Sequence, residues 1–119
     1  MTQRLTLHTR ATSAGPIMEL VGDLDRHTAS DVRTALLELD LRAGQQLVLD
    51  LGHLTFCDST GITVLLAARN HALAANAAIV LAAVPDRVSR IFRIVGLEQV
   101  FPTHPTAQAA EAAWRPAPS

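Results

Sequence analysis

The 119-residue chain contains no lysine, no tyrosine and a single cysteine, and aromatic residues make up only 3% of it. One cysteine excludes a disulfide framework and a cysteine-rich zinc site. With lysine absent, all ten basic residues are arginines, and eleven acidic residues bring the net charge to −1. A nucleic-acid-binding domain normally carries a basic excess, so no nucleic-acid partner is expected. Long hydrophobic runs are also missing. The longest nearly apolar stretch, Ala77 to Val84, falls far short of the ~20 residues of a membrane span. Met1-Thr2-Gln3-Arg4 leads into an alternating pattern rather than an apolar signal core. These absences predict a cytoplasmic protein without direct membrane insertion. His8, His27, His53, His71 and His104 fall on different elements without ligand-like spacing, so no metal and no other cofactor is expected.

What is present is apolar and small. Hydrophobic residues make up 49% of the chain and charged residues 18%, too apolar for disorder. Alanine is the commonest residue, which suits close helix packing. The length predicts one domain, 1–119, with its core at about 4–112 and a frayed tail at 115–119.

Period-2 alternation from Leu5 to Arg10 predicts a strand, and Thr12 to Pro16 a turn. Ile17 to Val21 reads as the second strand of a hairpin, followed by a polar loop from Gly22 to His27. Thr28, with Asp31 three residues on, resembles a capping box, and Gly44 is the expected stop of that helix. Leu47 to Leu51 and Ala78 to Ala82 are apolar without alternation, the pattern of strands buried on both faces. Between them a loop is expected from Gly52 to Cys57, then a helix from about Asp58. Pro85 opens the next helix and Gly96 closes it. Val100-Phe101 is expected to be the last strand, and Thr106 the cap of a final helix to about Trp114. The order β-β-α-β-α-β-α-β-α predicts an α/β fold: a mixed, mostly parallel sheet of about five strands with about four helices.

In such sheets, ligand sites cluster at the carboxyl ends of parallel strands. The loops there bring Asp23 and Asp25 towards Asp58, Ser59 and Thr60. Asp58-Ser59-Thr60-Gly61 has two readings. It is a helix cap, or it displays a hydroxyl where free N–H groups and the helix dipole favour a phosphate.

At these residues the chain resembles the STAS-domain anti-sigma factor antagonists. The resemblance is carried by Leu47 to Leu51 followed after six residues by Asp58-Ser59-Thr60-Gly61. It also rests on Gly22-Asp23-Leu24-Asp25 with Thr28-Ala29, and on Gly96-Leu97 with Val100-Phe101-Pro102. It spans about residues 4–112 and implies a STAS-like fold and a regulator rather than an enzyme. In the family, the unphosphorylated antagonist binds an anti-sigma factor that is also a serine kinase. Phosphorylation ejects the antagonist, and a phosphatase restores it. The serine after the motif aspartate is the acceptor, here Ser59. The implied partner-binding residues are Asp23, Asp25, Thr28, Asp58, Thr60 and Gly61. Thr63, Val64 and Ala67 join them by helical spacing, on a face that also includes His71. The alternative within the family is an accessory subunit of a membrane or lipid-transport complex, without phospho-switching.

Three other features have plain readings. Cys57 is expected to be a buried, inert thiol. Ser59 lacks the Gly-x-Ser-x-Gly elbow of a serine hydrolase. Arg87, Arg90 and Arg93 form a stripe, either a solvated face or a surface for an anionic partner. Arg69 is expected to snorkel or to meet a carboxylate such as Asp50.

Overall fold

A computed structural model of the chain describes residues 4–115; positions 116–119 of the expected tail lie outside them. Ten elements follow in order. Strand β1 (Thr6–Thr12) and β2 (Gly15–Leu24) form the expected antiparallel hairpin. Helix α1 (Ala29–Leu37), strand β3 (Gln46–Cys57) and helix α2 (Ser59–Ala74) follow. Strand β4 (Ala78–Ala82), helix α3 (Asp86–Val95) and a 3₁₀ turn (Leu97–Gln99) lead to β5 (Thr103–His104) and α4 (Ala107–Ala113). The sheet order is β1-β2-β3-β4-β5, and every pair beyond the hairpin is parallel. This is the mixed, mostly parallel α/β sheet that the alternation of elements predicts.

Side chains alternate across a strand, and both faces of β3 and β4 are covered. Leu47, Leu49, Leu51, Ile79 and Leu81 point into the larger core with Val32 and Leu36 of α1, Val64, Leu65 and Ala68 of α2, and Val88 and Phe92 of α3. Val48, Val80 and Ala82 point the other way, onto Ala107 and Ala110 of α4. The unbroken apolar runs from Leu47 to Leu49 and from Ile79 to Ala82 follow from that double burial. The small alanines let α4 lie close against the sheet.

Several boundaries differ from the sequence reading. Strand β2 continues through Gly22 to Leu24, and β3 continues to Cys57 instead of entering a loop at Gly52. Two register shifts interrupt the β2–β3 ladder. Such bulges break alternation, so this stretch looked irregular. Helix α1 ends at Leu37, and Gly44 lies in the turn before β3, where its N–H donates to Asn76 O. The last strand is Thr103–His104, not Val100-Phe101. Phe101 is instead a core side chain, 2% exposed. Gly96 does close α3, in the left-handed conformation (φ 79°) that glycine adopts without steric cost.

Asp50 shares the α4 side of β3 and accepts from Gly52 N at 3.0 Å. Arg69 lies on α2, across the sheet, so the two do not meet as the sequence reading allowed. No helix among the described residues is long and apolar enough to cross a membrane.

Candidate functional site

Helices α1 and α2 both begin at the carboxyl edge of the sheet, after neighbouring parallel strands, and they pack against each other. This topology brings the Asp23–Thr28 segment beside Asp58–Gly61, as their places in sequence predict.

The α1 head is a closed polar knot. Thr28 is buried, and its hydroxyl donates to Asp23 O at 2.8 Å and accepts from Asp25 N at 3.0 Å. Asp25 is also buried, and its Oδ1 accepts from His27 N at 2.8 Å and Thr28 N at 3.2 Å. Thr28 makes no side-chain cap bond to α1, so the capping box with Asp31 does not form. Its hydroxyl serves the loop that precedes the helix. A further link spans the strands: Thr55 Oγ1 donates to Asp23 Oδ1 at 2.6 Å.

The α2 head is open. Asp58 is its cap, and its Oδ1 accepts from Gly61 N at 2.9 Å. Ser59 is the first helical residue and is exposed. Its hydroxyl makes no hydrogen bond among the described residues, whereas its carbonyl accepts from Thr63 Oγ1 at 3.0 Å. Asp58 N donates to Leu24 O at 3.3 Å, which ties this head to the end of β2. Gly61 completes the joint. A β-carbon there would stand 2.7 Å from Leu24 O and 2.8 Å from Cys57 Sγ, so only glycine fits without displacing backbone.

Burial sorts the remaining candidates. Thr63 is exposed, and Thr60, Ala67 and His71 are half-buried on the same helix. Val64 is fully buried in the core, and Gly61 faces inward onto Leu24. Neither offers a side chain to a partner, which corrects their place on the expected contact face. Helical periodicity runs the outward stripe from Ser59 through Thr63 to Asn70 and Leu73 instead, each of them exposed. Asp23, Asp25 and Thr28 support the site from below, all buried.

The sequence reading missed Phe56 and Thr55, because it took that stretch as a loop. Phe56 is 49% exposed, three residues before Ser59. A large aromatic with no alternating partner was the only available signal.

Cys57 is buried, as expected. Burial foremost, and then the neighbouring Asp58 carboxylate, push its thiol up to about 11 from 9.0. The thiolate is the reactive form, so this cysteine is unreactive at neutral pH. Of the α3 arginines, Arg93 Nε pairs with Glu98 at 2.9 Å, while Arg87 and Arg90 are exposed without an ion pair among the described residues. No group of three or more His, Cys, Asp or Glu among the described residues has the geometry to hold a metal ion.

A family model described as "Mlab, STAS domain" matches residues 7–102. An anti-sigma-B factor antagonist of Listeria monocytogenes is 32% identical over 82 residues, which cover 69% of this chain and 72% of that protein. An anti-sigma factor antagonist from Mycobacterium paratuberculosis has a TM-score of 0.74 at 20% identity, covering 93% of this chain and 94% of its own. The anti-sigma factor antagonist SpoIIAA in its unphosphorylated form has a TM-score of 0.71 at 19% identity, covering 90% and 95%. The phosphorylated form of SpoIIAA, a Bacillus cell fate determinant, has a TM-score of 0.64 at 20% identity, covering 93% and 99%. These structural likenesses speak to the fold.

Proposed function

This chain belongs to the STAS domain family, and we propose that it is an anti-sigma factor antagonist switched off by phosphorylation of Ser59. The Listeria relative, at 32% identity, supports the antagonist role. The observation that carries the switch is the exposed, unbonded Ser59 hydroxyl at the first position of α2. In this reading the chain is not an enzyme. It binds an anti-sigma factor that is also its serine kinase, and a phosphatase reverses the modification.

The physics of the switch is local. Unphosphorylated, the α2 head presents a short, neutral hydroxyl beside one carboxylate, with Thr63 one turn further along the helix. A partner can pack closely there. Phosphorylation adds about −1.5 to −2 charges at one point, next to Asp58. That roughly doubles or triples the size of the net charge of −1. A dianion buried in a packed contact loses its hydration and meets like charge. Driving occupancy from 99:1 to 1:99 takes about 5.5 kcal/mol, within reach of a desolvated dianion. The helix itself stays formed, because its amino terminus favours negative charge.

The test is incubation with cognate anti-sigma kinases and ATP, followed by mass-spectrometric mapping, with Ser59→Ala as the control. We expect phosphate on Ser59, and Ser59→Asp to weaken anti-sigma factor binding. A protein that takes no phosphate there, and binds equally as wild type and Ser59→Asp, would overturn the switch in favour of the accessory-subunit reading.

A further inference from the structure

A second feature lies beside α3. A cavity of about 470 Å³ opens between α3, the 3₁₀ turn and β5, within the usual range of small-molecule pockets. It sits at the carboxyl ends of β4 and β5, the edge where open α/β sheets hold ligands. Its floor is apolar: Phe92, Leu97 and Phe101 line it and are all buried. Its walls are polar. Ser89, Thr103 and His104 line it, and none of their side chains makes a hydrogen bond among the described residues. Glu98 completes the rim, with its Oε1 held at 2.9 Å by Arg93.

The backbone on this wall is also unusual. Ala83 lines the cavity with φ 55°, the left-handed region that residues with a β-carbon seldom occupy. Its N–H donates to His104 O at 3.0 Å. Strained backbone of this kind concentrates at binding sites.

We propose that this cavity is a binding site for a small, uncharged, single-ring molecule bearing an amide or hydroxyl head. The ring covers the Phe92, Leu97 and Phe101 floor. The head must donate a hydrogen bond, because the Glu98 carboxylate only accepts. A hydroxyl, as at Ser89 or Thr103, complements either a donor or an acceptor. An anion is disfavoured because its charge would lose hydration against a lining that holds no arginine and whose one carboxylate, Glu98, is already paired with Arg93. A cation gains little because Arg93 already neutralises Glu98. The proposal is independent of the reading of Ser59.

The test uses the full chain, with backbone amide shifts read by NMR during titration with benzamide, benzoate and benzylamine. These probes share one ring and differ in the charge and donor capacity of the head. We expect saturable shifts with benzamide at Ser89, Leu97, Thr103 and His104. Benzoate should bind about tenfold more weakly, because its carboxylate loses hydration without meeting a cation. Benzylamine should bind no more tightly than benzamide. Glu98 is exposed, so Glu98→Gln keeps the fold and should narrow the gap between benzamide and benzoate. Ser89→Ala should weaken benzamide. Absent or scattered shifts with benzamide, a preference for benzoate or benzylamine, or a gap unchanged by Glu98→Gln would each overturn the proposal.

Discussion

Thr28 and Ser59 each bring a hydroxyl to the head of a helix that follows a parallel strand, on neighbouring strands of one sheet. By residue type and position they look equivalent. The structure separates them. Thr28 is 6% exposed, and its hydroxyl joins the backbone of Asp23 to that of Asp25. Ser59 is exposed, its hydroxyl is unbonded, and the capping of its helix is left to Asp58. The difference arises from division of labour. At α1 the side chains of Asp23, Asp25 and Thr28 are taken up by a buried loop. At α2 one carboxylate satisfies the helix end, and the next residue is left free. A hydroxyl suits modification only where a neighbour has taken over its structural role.

This contrast can be broken most forcefully at Thr28. Thr28→Val keeps the shape but leaves the buried Asp25 N–H and Asp23 carbonyl without their partner. We expect a loss of about 2–4 kcal/mol in urea unfolding, from two unsatisfied groups, with Thr28→Ser recovering most of it. A cost no greater than that of Ser59→Ala would abolish the distinction.

The second effect concerns Cys57, beneath the α2 head. Its thiol titrates at about 11 in the fold, above its ordinary 9.0. Below pH 9 both folded and unfolded chains are protonated there, and its contribution is fully present. As pH climbs towards 11 the unfolded chain ionises first and the fold loses stability, on the order of 2 kcal/mol. The chain has no lysine or tyrosine, so no other side chain titrates in that window. Equilibrium unfolding between pH 8 and 11 should show the loss in wild type and not in Cys57→Ala.

Smaller changes sharpen the picture of the open head. Asp58→Ala removes the α2 cap and should cost about 1 kcal/mol, with Asp58→Asn nearly neutral. Ser59→Ala should move stability by no more than about 0.5 kcal/mol, while removing the phosphorylation site. A larger loss would mean that the Ser59 hydroxyl has a structural partner after all.

The central strands were legible because double burial leaves a plain mark, apolar residues at every position from Leu47 to Leu49 and from Ile79 to Ala82. The α2 head was legible because Asp58 caps it and Gly61 permits its close approach to β2. Other boundaries had no such mark. The extension of β3 past Gly52 is bulged and exposes Thr55 and Phe56, so its side chains do not alternate. Strand β5 is two residues long and is joined to β4 through backbone groups, with Leu81 N donating to Pro102 O. Side-chain pattern says little about such a strand. The role of Thr28 was hidden for a different reason. Its bonds depend on how the loop from β2 folds back over α1, whereas the spacing to Asp31 suggested a local cap. Val64 was placed on the outer face because spacing alone does not fix where a helix's buried arc ends, and close packing against the sheet takes it inside.

The proposed switch rests on Ser59 acting at the surface of an intact helix. Hydrogen exchange of the α2 amides from Gly61 onward, compared between the unmodified protein and the form phosphorylated at Ser59, tests this most directly. Protection along α2 should be retained in the phosphorylated form while anti-sigma factor binding is lost. Wholesale loss of protection on phosphorylation would contradict the account, and would mean that the modification acts by unfolding the helix rather than by charging its head.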